Sequence, residues 1–155
     1  MSAKVGEKAP DFTLVSSEKR EVSLEDYQGK NVVLLFFPMA FTSVCTQELC
    51  AMRDNIAEYE QLDAQPLAIS VDSPFTLDKF KKEQGLNFPV LSDFNKEASK
   101  AYNSIYNEFV FGLKGVSKRS AFVIDKTGTI RYAEVLENAG DLPNFEGVKE
   151  TLNKL

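Results

Sequence analysis

At 155 residues the chain fits one domain of the commonest size and leaves little room for a second. Apolar residues make up 43% of it and charged residues 26%, an ordinary balance for a globular protein with a real core. A net charge of −5 argues against nucleic acid or an anionic membrane as the main partner, because both demand a basic face.

The segment from Met1 to Lys8 has no apolar leader core, so no secretory signal is read there. Phe12-Thr-Leu14 and Val22-Ser-Leu24 alternate around a polar stretch and predict a short N-terminal hairpin. Val32 to Phe37 is a continuous apolar run ended by Pro38, too short to span a bilayer but suited to a strand buried on both faces. From Cys45 onward, Leu49, Met52, Ile56, Tyr59 and Leu62 recur at helical spacing, with Thr42 or Ser43 as a cap. Pro66 to Val71 reads as a second buried strand. Ser73 then caps a helix with Pro74 at its first position, running to Gly85.

A short strand over Phe88 to Ser92 and a short helix over Asn95 to Tyr102 follow. The stretch from Asn103 to Gly115 is an unusually apolar loop, with Ile105, Tyr106, Phe109, Val110 and Phe111. Ala121 to Ile124 and Ile130 to Val135 form a hairpin across the turn Asp125 to Gly128, and Phe145 to Leu155 closes the chain as an amphipathic helix. Strands alternating with helices before a terminal hairpin predict an α/β fold with a mixed central sheet flanked by helices. The order is the thioredoxin-like pattern, with an N-terminal hairpin extension and an insertion in the middle.

Two absences narrow the chemistry: the chain has no His and no Trp. Imidazole is the usual general base and the commonest zinc ligand, so any nucleophile here is activated by other means. Two cysteines without His cannot supply four zinc ligands, and neither a metal nor a cofactor is expected. Nor do Cys45 and Cys50 make a secreted disulfide framework, which leaves the cytoplasm as the expected compartment. Cys45 lies past the end of a buried strand and in the first turn of a helix. Strand ends face the ligand crevice of α/β proteins, and helix N-termini favour an anion, so the position favours a thiolate.

Pro38, Thr42 and Cys45 spell Pro-x-x-x-Thr-x-x-Cys, which resembles the signature of the peroxiredoxins. Gly6-Glu-Lys-Ala-Pro-Asp-Phe12, Asp72-Ser-Pro74 and Lys118-Arg-Ser-Ala-Phe-Val-Ile-Asp125 are similar to the family's opening, middle and arginine-bearing segments, in the same order. The resemblance implies a thiol peroxidase. Cys45 would be the nucleophile that attacks a hydroperoxide, and Thr42 would place its hydroxyl on the thiolate and the incoming oxygen. Pro38 would screen the sulfur from water, Arg119 would bind thiolate and peroxide, and Glu48 would orient the arginine. Donors aimed at the breaking O–O bond would stabilise charge spreading over both oxygens, and the product would be a sulfenic acid. The apolar loop would then line an approach for organic peroxides or form the face of a homodimer. Plainer readings exist for each residue: Thr42 as a cap, Arg119 as a solvated strand-end charge, Glu48 as helix surface, Pro38 as a strand stop.

Cys50, five residues past Cys45, resembles the resolving cysteine of the peroxiredoxin Q (bacterioferritin comigratory protein) type, whereas Phe37-Pro-Met-Ala-Phe-Thr42 looks more like the AhpE type. With no third cysteine, a two-subunit resolving scheme is not expected. On an intact helix the two Cα atoms stand about 8.7 Å apart, beyond the roughly 4.4–6.8 Å of a disulfide. Resolution by Cys50, with thioredoxin as the reductant, therefore requires residues 41 to 52 to unfold locally. The other reading packs Cys50 in the core and leaves Cys45 to be reduced directly by an external thiol or redoxin. A thioredoxin-like disulfide oxidoreductase would need Cys-x-x-Cys, which is absent. A redox-regulated binding module would keep Cys45 without consuming peroxide.

Overall fold

The computed structural model describes residues 3–155; Met1 and Ser2, which open the segment read as leaderless, lie outside the described residues. Seven strands form one mixed sheet: β1 (Thr13–Ser16), β2 (Glu21–Ser23), β3 (Asn31–Phe36), β4 (Ala64–Ser70), β5 (Val90–Ser92), β6 (Ser120–Ile124) and β7 (Ile130–Val135), in the spatial order β2-β1-β5-β4-β3-β6-β7. The β3–β4 and β4–β5 pairs are parallel and the rest antiparallel.

All of β3 is buried. Strand alternation splits its side chains between two apolar layers. Val33 and Leu35 pack with Leu49, Met52, Leu77, Phe80, Val148 and Leu152 on one face. Val32, Leu34 and Phe36 pack with Phe12, Leu14, Tyr102 and Phe122 on the other. This two-sided burial is why the strand reads as an unbroken apolar run. The N-terminal hairpin forms as expected, although Leu24 leaves β2 and opens a 3-10 turn, Leu24–Tyr27.

The first helix departs from the expectation of one helix through Leu62. It divides into α1 (Ser43–Asp54) and α2 (Ile56–Gln61) at Asn55. The Asn55 amide side chain donates to the Ala51 carbonyl at 2.8 Å, occupying the acceptor that its own backbone N–H would use in a continuing helix. Helix α3 (Pro74–Gln84) begins and ends as its caps dictate. Ser73 Oγ accepts the Thr76 N–H at 3.2 Å, and Gly85 takes the left-handed conformation with φ of +62°.

The short helix α4 (Glu97–Ala101) starts where the buried Asp93 carboxylate accepts the N–H groups of Ala98 and Ser99. Helix α5 (Phe145–Asn153) closes the chain, capped by Asn144. Among the described residues no helix is long and apolar enough to cross a membrane.

Candidate active site

Strand β3 delivers the chain to the C-terminal edge of the parallel strands, and the Phe37 N–H extends the ladder to the Ile69 carbonyl at 3.0 Å. Pro38 is buried and ends the strand, since its nitrogen carries no proton to donate. Residues 39–42 then turn the chain into α1. Asp72, just beyond β4, holds that turn: a single carboxylate oxygen accepts the Ala40 N–H at 2.8 Å and the Ser70 hydroxyl at 2.7 Å. Phe41 adopts φ of +68°, an unfavourable backbone state for a bulky residue, and its ring rests edge-on against Phe80 at 5.2 Å.

Thr42 occupies the N-cap of α1, as expected, yet its side chain makes no cap bond. Nor is it joined to the sulfur. Its hydroxyl donates to the Met39 carbonyl at 2.8 Å, which commits its one proton to the loop and leaves its lone pairs as acceptors.

Cys45 lies in the first turn of α1, where backbone N–H groups lack helical partners, and it is 1% exposed. Arg119 reaches it from the residue preceding β6: Nη2 donates to Cys45 Sγ at 3.3 Å and Nη1 to Glu48 Oε1 at 2.6 Å. The Ala139 carbonyl accepts from both Nε and Nη2, at 3.1 and 2.9 Å, and holds the guanidinium plane from the far side. Neighbouring Lys118 points the other way and pairs with Glu137 at 2.7 Å. The two adjacent cations thus part just before β6, one to the buried site and one to Glu137.

The reading of Arg119 as a solvated charge is corrected: its side chain is 2% exposed. So is the reading of Glu48 as helix surface. Glu48 is fully buried, and its Oε2 has no hydrogen-bond partner among the described residues. Burial pushes its carboxyl up to about 7, overriding the opposing pull of the Arg119 charge and hydrogen bond. For Arg119, burial works against the charge but Glu48 and Cys45 outweigh it, so the guanidinium is held more firmly charged than usual.

Cys50 is half-buried on another face of α1, about 140° around the helix from Cys45 at 100° per residue. Its Sγ lies 3.6 Å from Gln84 Oε1, at the end of α3. Both cysteines are free. The structure therefore brings together Cys45, Glu48 and Arg119, leaves Thr42 beside them facing outward, and turns Cys50 away.

Three further residues complete the site. Ala139 acts through its backbone carbonyl, for which its identity gives no signal. Asp72 belongs to the segment Asp72-Ser-Pro74 that resembles the family's middle, but no site role was expected of its carboxylate, although an Asp at a parallel strand's C-terminal end is a signal. Burial, against the Arg119 charge and with those of Glu137 and Cys45, pushes the Tyr106 phenol up, and its hydroxyl donates to the Glu137 carbonyl at 3.1 Å. Beside Ala139 an open groove of about 540 Å³ runs along Tyr106, Phe109 and Val110. Among the described residues no cluster of three or more His, Cys, Asp or Glu is placed to hold a metal.

Residues 5–133 match the AhpC/TSA family. Alkyl hydroperoxide reductase E of Mycobacterium tuberculosis is 44% identical over 134 residues, which is 84% of each chain. Peroxiredoxin-2 of Mus musculus is 37% identical, covering 97% of this chain and 77% of that one. Among solved structures, peroxidoxin BcpB from Mycobacterium tuberculosis is 27% identical with a TM-score of 0.87, covering 98% of this chain and 97% of that chain. A cysteine-to-serine mutant of PrxQ from Xylella fastidiosa is 26% identical with a TM-score of 0.88, covering 99% and 98%.

Proposed function

The chain belongs to the AhpC/TSA family of peroxiredoxins and is a thiol-dependent peroxidase; from that premise we propose that Cys45 is its peroxidatic nucleophile. One observation carries this assignment: the Arg119 guanidinium bridges a buried sulfur and a buried carboxyl group, 3.3 and 2.6 Å away, at the start of a helix.

The Cys45 thiolate attacks one peroxide oxygen, the S–O bond forms, the O–O bond breaks, and an alkoxide or hydroxide leaves. Arg119 and the free N–H groups of the first turn of α1 stabilise negative charge on sulfur and on the separating oxygens. Thr42, its proton committed to Met39, accepts a hydrogen bond from the incoming O–H and so aligns the attacked oxygen. Pro38 ends β3 at the depth that keeps water from the sulfur, and Glu48 holds the arginine. The groove of Tyr106, Phe109 and Val110, bordered also by Glu108 and Glu137, offers organic hydroperoxides an approach beside the carbonyl that anchors Arg119.

Cys50 then attacks the sulfenic acid, the S–S bond forms and water leaves. Both cysteines lie on the intact helix α1, so this step follows unwinding of its first turns. Thioredoxin reduces the disulfide and completes the cycle. The two apolar layers share one sheet, which supports a single domain over the chain. Two cysteines in the whole chain, too few for a secreted disulfide framework, support a cytoplasmic setting.

Hydroperoxide consumption by wild type and Cys45→Ser, with and without thioredoxin, tests the assignment. Wild type consumes peroxide catalytically and the variant does not. Consumption that survives the loss of Cys45 refutes the proposal.

A further inference from the structure

Cys45, Glu48 and Arg119 form a buried triad with one permanent charge between two groups that can each become an anion. Arg119 is the cation on both: Nη1 serves Glu48 Oε1, and Nη2 serves Cys45 Sγ together with the Ala139 carbonyl. Were both acids ionised, a net negative charge would sit where the three side chains are 0–2% exposed. Glu48 is also poorly equipped for ionisation. A carboxylate offers about four lone-pair sites, yet one of these oxygens has no partner among the described residues. A bare anionic oxygen in the interior is costly, and the group takes up a proton instead.

We infer that Glu48 holds a proton while Cys45 is a thiolate and gives it up when the sulfur is oxidised, so that one guanidinium charge serves the two acids in turn.

This rests on Cys45 being the thiolate that reacts with peroxide. Burial, which lifts the Glu48 carboxyl to about 7 despite Arg119, supports it. The charged and titratable groups around Glu48 are few. Arg119 faces it from the start of β6 and Cys45 from its own helix. Tyr106 borders that pair from the loop before β6, with its hydroxyl turned to the Glu137 carbonyl, and Lys118 is occupied by the Glu137 carboxylate.

The net step balances. A thiolate, a hydroperoxide and a protonated Glu48 become a sulfenic acid, an alcohol and an ionised Glu48. Sulfur loses two electrons to the O–O bond, the S–O bond forms, the leaving alkoxide takes a proton from water, and the hydroxide so formed is neutralised by the proton that Glu48 loses. Arg119, no longer shared with a thiolate, then pairs with the carboxylate alone. Glu48 acts through Arg119 and is a positioning residue whose charge follows the sulfur.

Infrared difference spectroscopy of the Cys50→Ser protein, which cannot form the disulfide, tests this directly. The reduced protein at pH 6 should show a protonated-carboxyl band that vanishes with one equivalent of hydrogen peroxide and is missing after Glu48→Gln. Glu48→Gln, which cannot ionise, should lose the decline in the Cys45 oxidation rate above pH 7 that a second negative charge imposes. Mass spectrometry on the same samples reports whether Cys45 has become a sulfenic acid. A carboxyl band that is absent, or that persists while Cys45 is oxidised, overturns the inference alone. So does a loss of about 100-fold or more in the Glu48→Gln oxidation rate at every pH, which would mark an ionised carboxylate orienting the arginine. A Cys45 that peroxide leaves unoxidised overturns the assignment of the nucleophile and the inference with it.

Discussion

Replacing Asp72 with Ala releases the loop that presents Cys45. One carboxylate oxygen accepts both the Ala40 N–H and the Ser70 hydroxyl, tying the turn between β3 and α1 to the end of β4. A hydrogen bond to a charged acceptor contributes about 1.5–3 kcal/mol. The tether exists only while the turn is folded, whereas joining Cys45 to Cys50 requires the first turns of α1 to open. At about 1.36 kcal/mol per factor of ten, losing the tether raises the open fraction by roughly tenfold to a hundredfold. The end of β4 itself stays in place, because the Ser92 hydroxyl still donates to the Asp72 carbonyl at 2.6 Å. Rapid mixing with one equivalent of peroxide separates sulfenic acid formation from disulfide formation. In Asp72→Ala the first step should slow as the site loosens, and the second should accelerate about tenfold or more. Asp72→Asn, which keeps an oxygen acceptor without the charge, should fall between. A disulfide-forming step as slow as in wild type, in a variant whose urea midpoint has dropped, would refute the idea that this tether controls opening.

Arg119→Lys should lower the rate of Cys45 oxidation by about 10²–10³-fold, measured in a single turnover, because one ammonium cannot span Cys45, Glu48 and Ala139 as the planar fork does. Cys50→Ser should leave the first oxidation unchanged while the sulfenic acid persists and thioredoxin-supported turnover falls; unchanged thioredoxin-supported turnover would assign the cycle to Cys45 alone. Glu48 should make the reduced protein less stable as pH rises. Its native carboxyl lies above the unfolded value of 4.5, so its stabilising effect is complete below 4.5 and is lost as pH climbs through about 7. That gap corresponds to about 3 kcal/mol between pH 4.5 and 8, which urea unfolding should detect in wild type and not in Glu48→Gln.

Much of the architecture follows from short-range pattern. The unbroken apolar run of β3 announces burial on both faces, and Ser73, Pro74 and Gly85 mark the ends of α3 by their own backbone chemistry. The signature Pro38, Thr42 and Cys45 likewise marks the loop and helix start that carry Cys45. Asn55 shows the limit of periodicity: the apolar spacing continues to Leu62, yet one side-chain amide claims a backbone acceptor and divides the helix.

The site itself was half legible. Cys45, Glu48, Leu49 and Met52 follow the i, i+3, i+4, i+7 stripe of a buried helix face, which alone marks Glu48 as buried and not as helix surface. The sequence by itself determined most of the elements and that Cys45 begins a helix, because those outcomes depend on neighbours a few residues away. Only the tertiary structure decided that Arg119, 74 residues from Cys45, turns inward to meet both acids, that Ala139 lends a carbonyl, and that Cys50 faces Gln84. Those partnerships are made by packing one layer against another, where burial strips water from a charge and only the folded chain can supply its replacement.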